Sequence, residues 1–156
     1  MTEDVVLRFE SRLRAPRERV WESIASVADI QAEMWPYFRM TAPRSVRSLD
    51  DVELKPGVRM FRSYVFLFGV LPIDYSDLTL LELDPGHGFV EQSPMGSMRL
   101  WRHERRILPC PDDPGAVLVV DQLRFRPRMA TRLVKWFIGR VFSHRHAVLR
   151  ARFGGA

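Results

Sequence analysis

One cysteine in 156 residues leaves no partner for an intramolecular disulfide and no basis for a Cys-based metal cluster. Cys110 sits in Pro-Cys-Pro-Asp-Asp-Pro-Gly, a turn sequence without a nearby base or helix N-terminus to activate a thiolate, so it reads as an exposed bystander. No apolar run approaches the ~18 residues of a membrane-spanning helix. The opening Met1-Thr2-Glu3-Asp4 is acidic with no hydrophobic region behind it, so a cytoplasmic protein is expected. Helix-turn-helix spacing, a zinc knuckle, RNP aromatics and a Walker loop are all lacking, and nucleic acid is not an expected partner. Acidic residues are missing from one whole stretch: Gln122 to Ala156 carries nine Arg or Lys and no Asp or Glu, so residues 1–121 hold a net charge of −4 against +5 for the whole chain. The basicity therefore belongs to one element, whose charged side is either a solvated back or a surface for weak contact with an anionic membrane.

An apolar content of 46% and a charged fraction of 28%, regularly patterned, exclude disorder and fit one domain, 1–156, large enough to bury a core. Pro127 to Phe153 reads as one long helix. Taking Phe137 as reference, Ala130, Leu133, Val134, Val141 and Val148 gather on its apolar side. Arg132, Lys135, Ser143, His146 and Arg150 fall opposite. His144 is the exception on the apolar side, and His146 should point away.

The rest of the chain supplies a cover for that helix. Val5 to Leu13 alternates apolar and polar, as a half-buried antiparallel strand does. Ala15-Pro16-Arg17-Glu18 starts a short helix with Val20, Ile24 and Val27 at helical spacing, and Ala28 to Met34 forms a second, stopped before Trp35-Pro36. Strands are expected at Met40 to Leu49, Val58 to Phe68, Ile73 to Leu83, Gly88 to Gln92, Met98 to Leu108 and Ala116 to Arg126, separated by short Pro- and Gly-containing turns. Connections this short pair consecutive strands antiparallel. The fold class is α+β: a strongly curved antiparallel sheet of about seven strands around a long C-terminal helix, with two short helices after the first strand.

Candidate chemistry concentrates between Met98 and Arg126. Trp101, His103 and Arg105 share one strand face; Val119, Asp121, Leu123 and Phe125 share one face of the next. Pairing Ile107 with Val117 places His103 opposite Asp121 and Trp101 opposite Leu123. An inward aspartate needs a partner, either His103 or a buried arginine. If His144 joins them from the helix, His103, Asp121 and His144 form an acid/base group with Asp121 orienting an imidazole; otherwise they are a satisfied structural pair. Nothing supplies a nucleophile or an oxyanion hole. A metal is not expected, because His144 and His146 diverge on the helix. Met and aromatic side chains suit an apolar pocket between helix and sheet, with Arg62, Tyr64 and Phe66 on one inward strand face and Phe137 and Val141 from the helix.

Several segments together resemble the START-like superfamily, the helix-grip fold of polyketide cyclases, coenzyme Q-binding carriers and lipid-transfer domains. They are the first strand with Ala15-Pro16-Arg17-Glu18-Arg19-Val20-Trp21, Phe89-Val90-Glu91-Gln92 through Gly96 to Trp101-Arg102-His103, Val120-Asp121-Gln122-Leu123-Arg124-Phe125-Arg126-Pro127, and Phe142-Ser143-His144-Arg145-His146. The resemblance implies an apolar cavity between sheet and long helix, holding a lipid, isoprenoid, quinone or polyketide without a cofactor. Its alternative is a cyclase or dehydratase working through His103 or His144. The bulky Met34-Trp35-Pro36-Tyr37-Phe38 departs from the commoner pattern and is placed to narrow or plug the entrance.

Overall fold

The computed structural model describes residues 4–155; Met1 to Glu3 of the acidic opening, and Ala156, lie outside them. Seven strands, β1 (Val5–Leu13), β2 (Phe38–Met40), β3 (Arg59–Leu67), β4 (Leu71–Asp84), β5 (Gly88–Gln92), β6 (Met98–Pro109) and β7 (Val117–Pro127), form one antiparallel sheet in the order β1-β7-β6-β5-β4-β3-β2. Helices α1 (Arg17–Ala25) and α2 (Val27–Met34) follow β1, and α3 (Thr131–Phe153) closes the chain. The expected α+β architecture is thus the one observed. β3 through β7 run as a meander on short connections, β2 pairs with β3 across the longer stretch 41–58, and β1 returns to pair with β7, with Gly155 bridging Leu13 at the end of β1. Gly88 is obligatory at the start of β5: its φ is +147°, and a Cβ there would lie 2.1 Å from the Arg105 carbonyl oxygen. That close approach seats β5 against β6 at the arginine on which the interior turns.

Local differences from the sequence pattern have physical reasons. The strand expected over Met40 to Leu49 stops at Met40. Pro43 denies it a ladder donor, and the chain turns through a Pro43–Val46 hydrogen bond into a 3-10 turn capped by Ser48 and Asp51. The β6–β7 register is two residues from that expected: Ile107 faces Val119, Arg105 faces Asp121 and His103 faces Leu123. β6 runs on to Pro109, and Asp113 closes the tight loop by accepting from Gly115 N–H. A shift of two keeps every side chain on its expected face.

α3 departs most. Its buried residues are Ile138, Val141, Phe142, Arg145, His146, Leu149 and Phe153, a stripe turned about 100° from the expected one on a 100°-per-residue helix. Leu133, expected on the apolar side, is 64% exposed, and Trp136 is 62% exposed. Two apolar clusters result. One gathers Leu13, Val20, Ile24, Ile107, Val119 and Leu149; the other Met98, Leu123, Phe125, Ile138, Val141 and Phe142. Along β7 they are separated by Asp121, and along α3 by Arg145 and His146.

Candidate functional site

That separating layer is a buried hydrogen-bonded charge cluster. Asp121 is fully buried and accepts four bonds, which fills a carboxylate's capacity. Oδ1 receives His103 Nε2 at 2.7 Å and Arg105 Nε at 2.8 Å; Oδ2 receives Arg105 Nη2 at 2.8 Å and His146 Nε2 at 2.7 Å. Arg105, equally buried, spends its remaining Nη1 on Glu33 Oε1 of α2 at 2.9 Å, and Arg145 Nε approaches the same oxygen at 3.2 Å. The Ser11 hydroxyl of β1 is hydrogen-bonded with His146 Nδ1 at 2.7 Å and accepts from Arg150 at 2.9 Å. Five elements, β1, α2, β6, β7 and α3, are fastened through one carboxylate and its neighbours.

The electrostatics follow from that geometry. Burial alone would raise the pKa of Asp121, but the Arg105 charge and the hydrogen bonds from Arg105 and His103 hold it well below the usual carboxylate range. Burial likewise works against Glu33, and Arg105 and Arg145 outweigh it to lower its pKa. Arg105 is raised, because Asp121 and Glu33 together overcome its desolvation. Arg145 is lowered, by burial first and then by repulsion from Arg105.

On the other side of His103 lies a cavity of about 500 Å³ between the sheet, α2 and α3, lined chiefly by apolar side chains such as Met34, Phe38, Phe61, Val65, Leu78 and Phe137. The His103 ring lines it, held edge-on by Phe89 and Phe142, with Nδ1 4.0 Å from Glu91 Oε1. Glu91 also lines it and accepts from Ser93 Oγ at 2.7 Å. Ser76, on β4, brings a buried hydroxyl oxygen to the lining with no partner among the described residues. Phe68, Ile73 and Leu133 belong to both the lining and the exposed surface, and so form the mouth.

Of the residues singled out from the sequence, Trp101, His103, Phe137 and Val141 line the cavity. Leu123 and Asp121 do not. Leu123 is packed into the apolar cluster and Asp121 stands behind His103. Arg62, Tyr64 and Phe66 lie on the wrong face of β3. Phe61, Ser63, Val65 and Leu67 face in, while Arg62 pairs with Asp77 at 2.8 Å and rests on the Tyr75 ring, and Tyr64 is 52% exposed. Both faces of β3 carry large apolar residues, and bulges at Arg59/Phe61 and Val65/Phe66 break the alternation, so periodicity could not choose between them. His144 is outside the cavity: its Nε2 donates to the Trp35 carbonyl at 2.6 Å and its ring packs on Tyr37, pinning the end of α2 to α3. His146, expected to face solvent, is the histidine that reaches Asp121. Met34 and Phe38 form wall and Trp35 is outside, so the segment borders the cavity. Among the described residues no group of three or more His, Cys, Asp or Glu could hold a metal ion, and no helix is long and apolar enough to cross a membrane.

A curled seven-stranded antiparallel sheet closed over a long C-terminal helix is the helix-grip fold of the START superfamily. The chain is similar in structure to a START superfamily protein from Mycobacterium smegmatis (TM-score 0.62, 11% identity, covering 97% of each chain). It is similar also to protein CV1439 from Chromobacterium violaceum (TM-score 0.65, 13% identity, 92% of this chain and 96% of that one). DynU16, a protein of the dynemicin biosynthetic locus, matches 96% of this chain over 48% of its own, with TM-score 0.57 and 13% identity. In sequence, residues 11–153 match the model of a domain of unknown function, DUF8410, and the protein belongs to that family. No curated protein matches it in sequence.

Proposed function

We propose that the protein binds or carries a small, predominantly apolar molecule (a lipid, isoprenoid, quinone or polyketide) in the cavity between sheet and α3. The observation that carries this reading is the volume of about 500 Å³ enclosed by mainly apolar walls, with polar groups confined to a few positions. Close-packed interiors leave few voids larger than a water molecule, so a space of this size stands out. Replacing Leu78 on the cavity wall by Trp should abolish saturable uptake of a fluorescent apolar probe. Unchanged uptake by a folded Leu78→Trp protein would count against the reading.

The mouth supports delivery at an anionic bilayer. Phe68 holds a positive φ of 52°, an uncommon conformation for a bulky residue, at the tip of the β3–β4 hairpin, and Val70 beside it is 79% exposed. Across the mouth, exposed Leu133 and Trp136 alternate with exposed Arg132 and Lys135. Apolar side chains that can enter a bilayer, flanked by cations that attract its headgroups, suit interfacial binding. The first half of α3 carries the exposed cations Arg132, Lys135 and Arg140, whereas Arg145 is buried and Arg150 and Arg152 are hydrogen-bonded to Ser11 and Ser23.

A second reading, a cyclase or dehydratase, rests on His103, which faces the cavity while Asp121 fixes its Nε2. The imidazole would move a proton at Nδ1, with Asp121 orienting it; His144 has no part. His103→Gln should then cost about 10²–10⁴-fold in turnover of a polyketide-type substrate while ligand retention persists. Equal turnover by the variant would remove this reading and leave the carrier reading intact.

A further inference from the structure

Arg145 is a buried cation in the polar layer with donors to spare. Its side chain is 8% exposed, and only Nε has a partner, Glu33. Neither terminal amino group finds an acceptor among the described residues, and the residue lines the cavity. Arg105, by contrast, has every guanidinium nitrogen engaged, with Asp121 at two of them and Glu33 at the third. Arg145 lies 4.8 Å over the Phe142 ring, and His103 packs on the same ring with centroids 5.1 Å apart. The polar end of the cavity is therefore built around Phe142, at the foot of otherwise apolar walls.

We propose that the cavity takes an amphiphilic monocarboxylic acid, its carboxylate gripped by Nη1 and Nη2 of Arg145 and its apolar body running along the walls formed by Phe38, Phe61 and Val65. This rests on the cavity being a ligand site. Two parallel N–H donors on a planar fork match the two oxygens of a carboxylate. Arg105 engages both carboxylates of the layer, whereas Arg145 reaches a single oxygen of Glu33, whose Oε2 has no partner among the described residues, so Arg145 is the less compensated of the two guanidinium groups. A dianionic head such as a phosphate would meet Glu91 on the same lining. The lowered pKa of Arg145, from burial and from Arg105, agrees with a cation whose counter-charge is incomplete.

The test compares decanoate with 1-decanol, equal chains with and without the acid, by calorimetric titration of the full chain. Charge-assisted hydrogen bonds of this kind predict decanoate binding about tenfold or more tightly. Arg145→Met should erase that preference, so that decanoate binds the variant no more tightly than 1-decanol does, while Glu33 keeps Arg105. If that variant does not fold, Arg145→Lys keeps Glu33 paired and should reduce the preference several-fold. In the unsubstituted protein, carboxyl-labelled decanoate followed by carbon NMR should titrate below its free value when bound. Equal affinities, an undiminished preference in Arg145→Met, or an upward carboxyl shift would overturn the head-group assignment and leave the cavity reading standing. Binding of neither compound would overturn both.

Discussion

Asp121 is the residue on which the interior depends, and its environment makes the consequences of changing it specific. With four donors aimed at two oxygens, Asp121→Asn would turn two of those contacts donor-to-donor and strip the charge that compensates Arg105. Breaking a buried pair in this way costs about 3–5 kcal/mol, to be read from denaturant unfolding with linear extrapolation. The pH dependence has a definite sign. Asp121 and Glu33 both have pKa values lowered by folding, so their contribution is complete above the unfolded carboxylate range and lost as pH falls through the folded values. Stability should therefore decline below about pH 4, and Asp121→Asn should flatten that decline. An acid limb as steep in the variant as in the parent would show that other groups set it. Much of this was legible: an inward aspartate on a strand demanded a histidine or arginine, and it has both. Arg145 and His146 were not, because a charged residue on a helix scores as solvent-facing until a buried counter-charge from β7 or α2 is known to meet it.

At the scale of the element, α3 shows how that misreading propagates. Placing His146 opposite the apolar side centres the stripe read from the sequence near Leu133 and His144, while the observed stripe runs through Ile138, Phe142 and Leu149. The two orientations predict different stabilities. Leu149 is fully buried, and Leu149→Ala should cost about 2–5 kcal/mol, whereas Leu133→Ala should stay within about 0.5 kcal/mol. Comparable losses at both positions would contradict the observed rotation. In β3, with two bulges and two apolar faces, alternation puts Arg62, Tyr64 and Phe66 inward where the structure has Phe61, Ser63, Val65 and Leu67. The meander of β4 to β7 was legible because each turn between its strands carries Pro or Gly and the connections are short. Even the two-residue register error between β6 and β7 left His103 able to reach Asp121 along the same sheet face, as a diagonal neighbour.

For the whole molecule, curvature, cavity and mouth belong together. A sheet curled around α3 packs tightly where β1, β6 and β7 meet the helix and stands away where β3 and β4 turn outward, and the space is rimmed by Phe68, Ile73 and Leu133. Apolar rim and flanking cations predict co-sedimentation with phosphatidylserine-containing vesicles that weakens as salt rises, and that Val70→Glu reduces. Binding indifferent to both salt and that substitution would remove the membrane from the account. The central claim, that the cavity exists to hold an apolar ligand, is tested most directly by mass spectrometry of organic extracts from natively purified protein, compared with Leu78→Trp prepared in parallel. A discrete class of apolar molecules should be retained by the parent and missing from the variant; identical extracts from the two would contradict that claim.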